Sequence, residues 1–328
     1  MPSSVTHKLF SDDVFNKLDK KTKNSILNSI NEYNVFAQGP DPYFFYDFHL
    51  TRRSKEIGKI NTAMQHSLIN KHFSSLINYI NQKGYYSNSM VMAYLYGQIC
   101  HFVLDSVCHP YIVYNTGKFY PDDKDTFKYN GLHEEMEYYI DCYLIYKRLN
   151  IKPKDYKTYI ELFPKMKFNN EIKDVIDTVS YEVYGFKDVS LKYLKSIKDM
   201  KKFYYVFNYD KYGIKKFVYS IMDLLCSKKI IRKKELSFHI NPFEKVYYLN
   251  NEKDNWCHPC VKDEIYNYSF LELYDMAIDK AVNIISIIDK MLSDKKIVNN
   301  KIEKLFGNAD YGTGKDCDLN YEFKFFKF

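Results

Sequence analysis

The sequence predicts an all-α fold, a multi-helix single domain, and three observations lead there. Apolar residues recur at spacings of three and four along most of the chain, which is the period of a helix face. Only eleven of 328 residues are Gly, too few for glycine-rich nucleotide folds or for the many turns of a β-sandwich. No internal repeat and no low-complexity linker divides the chain. Hydrophobic residues make up 46% and charged residues 27%, as in an ordinary globular protein, and 33 Tyr with 24 Phe make the core aromatic. The 48 basic residues face 41 acidic ones, so the net charge of +7 is diffuse. It names no nucleic-acid partner and suits weak docking on anionic surfaces.

In chain order, residues 54–82 read as one long helix, with Ile57, Ile60, Met64, Leu68, His72, Leu76 and Ile80 on its apolar stripe and Gly84 to stop it. Residues 88–113 form a strongly apolar helix that ends near Pro110, and residues 131–149 form a third, opened by Asn130-Gly131. Beyond Pro153 the pattern is rich in Lys and Tyr but helical in pieces, through 187–200 and 211–228. Residues 237–262 break the helical period with prolines and polar clusters and read as a long ordered loop. A last helix spans about 269–293, with Ser269 and Glu272 spaced as a capping box and Ala277, Ala281, Ile284, Ile285 and Ile288 facing inward. The helical domain is expected over 1–306 and a C-terminal tail over 307–328.

Seven Cys, an odd number in a chain able to bury its own core, require no disulfide framework. The start, MPSSVTHKLFSDDVF, puts polar residues where a signal peptide needs an apolar run, and no stretch of eighteen apolar residues occurs. A cytoplasmic location without a membrane span is therefore expected.

Seven of the nine His fall within the first 133 residues. In HFVLDSVCHP, His101, Asp105 and His109 are spaced four and four, so they project from one helix face. His133 and Glu137 repeat that spacing on the next helix. Imidazole and carboxylate are zinc ligands, and five of them exceed the four that one tetrahedral ion takes, which implies a multinuclear site. The ordinary alternative is a surface His–Asp pair. It is disfavoured because the neighbours of these residues, Ile99, Cys100, Phe102, Val103, Leu104, Val107 and Cys108, are almost wholly apolar, and buried titratable groups are costly unless paired or metal-bound.

With Thr6-His7, Gly39-Pro40-Asp41, His66, His101 with Asp105, His109-Pro110 and His133 with Glu137, the chain resembles the zinc-dependent phospholipase C family, which shares its fold with fungal single-strand nucleases. The resemblance covers about residues 1–145 by motif. It implies a cluster of two or three zinc ions in a cleft between helices. Asp41, His66, His101 and Asp105 would hold one, His109, His133 and Glu137 a second, and His7 with the chain's terminal amine a third, to which Asp105 bridges. It further implies a zinc-activated water, with Asp41 to orient or deprotonate it. Exported members offer an N-terminal Trp to the third ion; the single Trp here is Trp256, so the terminal donor would be Pro2 after removal of Met1. No counterpart of their C-terminal lipid-docking β-sandwich is visible.

The expected function is hydrolysis of a phosphoester, foremost a phospholipid head group, with peripheral membrane contact and no obligate protein partner. The alternatives are a single-strand nuclease of the same fold and a non-catalytic zinc-binding protein. Several features read as structural. His49 is a local histidine, His72 lies on a different face from His66, and Cys257-His258-Pro259-Cys260 is a packed loop anchored by Trp256. The basic run from Lys228 to Lys234 reads as a solvated face, with attraction to membrane or phosphate as the rival reading.

Overall fold

The computed structural model describes residues 3–228, 230 and 232–328, and among these the regular elements are helices apart from one small sheet. Helices α1 (Ser4–Lys17), α2 (Lys20–Ile26) and α3 (Ile30–Phe36) lead to α4 (Arg52–His66), α5 (Ile69–Lys83) and the long α6 (Ser89–Thr116). Then follow α7 (Leu132–Leu149), the short α8 (Thr158–Glu161), α9 (Asn170–Tyr184), α10 (Val189–Phe203) and α11 (Ile214–Leu225). A hairpin of β1 (Trp256–His258) and β2 (Val261–Tyr266) precedes α12 (Phe270–Ser293) and α13 (Asn299–Phe306). The expected all-α fold is what the chain adopts.

Helix α6 is the axis of the core, packed on by α1, α2, α3, α7, α9 and α12. By length and hydropathy it could cross a membrane, yet nearly all of its apolar stretch is enclosed by the other helices. It also runs through Pro110 to Thr116, beyond the expected end. Proline at 110 leaves the Ser106 carbonyl without its usual intrahelical donor. The loop around Gly314 packs onto that carbonyl so closely that an added Cβ would lie 2.3 Å from its oxygen.

The expected helix 54–82 is two helices. Ser67 is extended and Leu68 adopts φ +54, so α4 ends at His66. The apolar stripe continues into α5, and for that reason the periodicity concealed the break. Asn70 and Asn308 brace it by exchanging side-chain-to-backbone hydrogen bonds of 3.2 and 2.8 Å. Helix α7 begins as expected behind Gly131, whose φ of +78 suits glycine. Helix α12 carries the expected capping box: the Glu272 amide donates to Ser269 Oγ, and the Ser269 amide donates to Glu272.

The 237–262 stretch departs from an all-loop expectation because it contains β1 and the start of β2. A three-residue strand is too short to display an alternating pattern. Cys257 in β1 and Cys260 in the hairpin turn are free thiols, and Trp256 is buried with Nε1 donating to the Tyr268 carbonyl. Beyond α13 the chain packs rather than frays. The Lys324 and Phe325 amides donate to the Pro259 carbonyl, and the Lys327 amide donates to that of Tyr114.

Candidate metal centre

Two groups of metal-ligating side chains meet along one face of α6. His101, Asp105 and His109 project from it as their spacing requires. Helix α1 brings His7 to the first two, and α7 brings His133 and Glu137 to the third. Within each group the donor atoms all lie within 4.8 Å of one another.

In the first group Asp105 stands between two imidazoles. Its Oδ1 is 3.2 Å from His7 Nε2 and its Oδ2 is 3.1 Å from His101 Nε2, with all three side chains shut off from solvent. The two rings stack with centroids 4.2 Å apart. Among the described residues, both His7 nitrogens, His101 Nε2 and both Asp105 oxygens are buried without a hydrogen-bond partner. Burying such groups unsatisfied costs several kcal/mol. Divalent cations would satisfy them together, and the donor set fits zinc: nitrogen and carboxylate oxygen, converging and dry. His101 Nδ1 donates to the Ala37 carbonyl at 3.1 Å, which turns Nε2 toward Asp105, where a metal would take it. Burial, followed by the neighbouring His101, lowers the His7 pKa to about 4 and keeps the ring neutral. Burial would raise the Asp105 carboxyl, but His101 and His7 hold it well below the usual range.

Asp41 enters from the 3₁₀ segment Asp41–His49, with its Oδ1 3.8 Å from His101 Nε2. The same oxygen accepts from Gln65 Nε2 at 2.8 Å and from Asn61 Nδ2 at 3.5 Å, both on α4. Burial raises its pKa to about 7 against the opposing charge of His101. Gly39 belongs to this geometry: at φ +53 it lets the chain pass so close to His101 that an added Cβ would lie 2.2 Å from the ring.

In the second group His133 Nε2 is 3.0 Å from Glu137 Oε1, and the His109 and His133 rings lie 5.1 Å apart. His109 Nδ1 donates to the Gly312 carbonyl at 3.0 Å, again freeing Nε2. Beside this group lies a cavity of about 220 Å³ lined by His109, Val113, Lys118, Phe119, Tyr129 and His133. A larger cavity, about 430 Å³ around Tyr146, His239 and Phe243, holds none of these ligands.

His66 joins neither group. It is the last residue of α4, and its Nδ1 bonds Asp310 Oδ2 at 2.5 Å. A carboxylate on Nδ1 is the usual support of a histidine that offers Nε2 to a metal. Asp310 is braced in turn: its Oδ1 accepts from the Gly312 and Thr313 amides at 2.8 and 2.7 Å. The terminal amine expected as a zinc donor belongs to Met1 or Pro2, which lie outside the described residues.

Sequence reasoning missed Asp310 and Gly312, which no spacing relates to the ligands and which reach the site only because the 310–315 loop folds back. It also missed Asp141, although that residue stands four after Glu137 on the same helix face. Asp141 accepts from the Thr6 amide at 2.8 Å, from Thr6 Oγ1 at 2.7 Å and from the Val5 amide at 3.3 Å. It thereby pins the start of α1 and sets where His7 points. His49 sits at the surface near Phe44, and His72 is buried against Phe73 and Tyr184.

Residues 6–186 match the family model described as zinc dependent phospholipase C, a span that contains all eight expected ligands and stops short of Asp310. No curated protein and no solved structure matches the chain.

Proposed function

We propose that this chain, which belongs to the zinc-dependent phospholipase C family, hydrolyses the phosphodiester that joins a phospholipid to its head group. The observation that carries this reading is Asp105, buried with each oxygen facing a histidine from a different helix. His7, His101 and Asp105 with Asp41 would hold zinc at the inner end of the face, and His109, His133 and Glu137 at the outer end, giving two ions or three. Zinc held there acidifies water and neutralises phosphoryl charge.

The chain's own groups do the rest. Asp41 is oriented through Oδ1 by Gln65 and Asn61, which leaves Oδ2 to accept the proton of the attacking water. Lys118, in the cavity beside the outer group, supplies positive charge to the phosphoryl oxygens. Val113, Phe119 and Tyr129 form the apolar wall against which a head group rests. Ala37, Gly312 and Asp310 orient the rings of His101, His109 and His66 through Nδ1. Peripheral contact with a lipid surface goes with this substrate.

The test is a panel run on zinc-loaded protein with phosphatidylcholine micelles, single-stranded DNA and a small chromogenic phosphodiester. Release of phosphocholine with diacylglycerol, abolished by chelation and restored by zinc, is the expected result. Cleavage of DNA alone would replace the reading with the nuclease alternative. Stoichiometric zinc with no turnover on any substrate would replace it with a non-catalytic role.

A further inference from the structure

Helix α11 is amphipathic the wrong way round for a soluble protein. Ile214, Phe217, Val218, Ile221, Met222 and Leu225 fall at the spacings of a single stripe, and that stripe faces solvent. Exposure reaches 67% at Phe217 and 82% at Leu225, with Leu224 beside them at 85%. The polar face is the one turned to the protein, where it is satisfied. Lys216 Nζ donates to the His239 carbonyl, Tyr219 Oη to the Phe207 carbonyl, and Asp223 accepts from the Lys233 and Lys234 amides. The orientation is thus fixed by hydrogen bonds that a flip would break. A soluble protein does not leave so large an apolar surface open without a use for it.

Charge identifies what covers the stripe. Among the described residues next to the helix in sequence, the exposed charged side chains, Lys211, Lys228, Arg232 and Lys234, are basic, while Asp210 and Asp223 are turned inward onto backbone amides. Apolar side chains with a basic rim match the interface of an anionic bilayer, where the stripe enters the acyl boundary and the rim meets phosphates. The segment is also stapled to the candidate site. Asn130 Nδ2 donates to the Lys228 and Ile230 carbonyls, each at 2.9 Å, and the Arg232 amide donates to Asn130 Oδ1 at 3.1 Å. Asn130-Gly131 opens α7, the helix of His133 and Glu137, and Gly131 lines the 220 Å³ cavity.

We infer that α11 with its basic flanks is an interfacial docking device that lays the molecule on an anionic phospholipid surface with the metal-site cavity beside it. The inference rests on the phospholipid reading for its purpose, but its test is separate. Full-length protein is sedimented with vesicles of phosphatidylcholine alone and of phosphatidylcholine mixed with phosphatidylglycerol, and turnover of a water-soluble chromogenic phosphodiester is measured in parallel. The mixed vesicles should carry the protein down, less so as salt rises. The triple variant Phe217→Ser, Leu224→Ser, Leu225→Ser should bind more than about tenfold more weakly, since apolar area removed from water is lost. The pair Lys211→Gln, Lys228→Gln should weaken binding to the mixed vesicles alone. All these positions are exposed and lie outside the candidate site, so turnover of the soluble substrate should be unchanged.

Equal vesicle binding by wild type and triple variant would overturn the inference. So would a wild-type dimer in light scattering that the triple variant abolishes, because the stripe would then be covered by a second copy. Vesicle binding without hydrolysis of any substrate would leave the docking device standing and remove the phospholipase reading. Hydrolysis without vesicle binding would do the reverse.

Discussion

Replacing Gly39 with Ala tests whether the close passage of the chain over His101 holds the inner group together. The new Cβ would fall 2.2 Å from Cδ2, 2.3 Å from Cγ and 2.8 Å from Nε2 of that ring. The ring cannot easily retreat, because its Nδ1 is tied to Ala37 at 3.1 Å and it stacks on His7. The loop is held as well, since the Gly39 carbonyl accepts from Tyr193 Oη at 2.7 Å. Left-handed backbone costs a non-glycine residue about 1–2 kcal/mol and forced repacking about 1–3 kcal/mol, so the loss should be roughly 2–5 kcal/mol. Gly84→Ala supplies the control: Gly84 has φ +68 with nothing within 4 Å of an added Cβ, so only the backbone cost of about 1–2 kcal/mol applies. Urea denaturation of both variants separates the two contributions. Zinc content and phosphodiester turnover then report the site, where displacement of His101 by about 1 Å should lower turnover on the order of 100-fold. If Gly39→Ala keeps full zinc and turnover and loses no more stability than Gly84→Ala, His101 is not held as described.

Three further outcomes are expected. Asp105→Asn removes the one carboxylate facing both His7 and His101, so it should lose more than one zinc by elemental analysis and cut turnover more than roughly 100-fold, whereas retention of full zinc would show that Asp105 serves one ion at most. Asp310→Asn should lower zinc affinity or turnover about 10–100-fold if Asp310 orients His66, and His66→Ala added to it should then cost little more, a coupling that a kinetic double-mutant cycle measures. Asp141 gives a pH dependence: burial raises its pKa from 3.8 to about 7 against its hydrogen bonds to Thr6. The folded state therefore binds the proton more tightly than the unfolded chain, and stability from this group falls as pH rises from about 4 to 7, then levels. Asp141→Asn, neutral throughout, should remove that fall, and urea midpoints that decline equally with pH in both proteins would contradict it.

The sequence by itself determined the helical class and most of the candidate ligand set, because both depend on spacing along one element. His101, Asp105 and His109 could be placed on one face from their separation alone, as could His133 with Glu137, and their apolar neighbours already marked the face as buried. The same logic placed the capping box of α12 and the glycine that opens α7. What lies between elements was decided only by tertiary packing. The break between α4 and α5 arises where Asn70 meets Asn308, and it leaves His66 beside Asp310 instead of within the inner group. Helix α6 continues past Pro110 to Thr116, where the Gly314 loop packs on the Ser106 carbonyl. Residues 310–313 reach the metal groups from the far end of the chain, a separation over which spacing carries no information. The outward stripe of α11 is the sharpest case. Its periodicity is that of any amphipathic helix, and only the hydrogen bonds of its polar face to the protein decide that the apolar side meets solvent.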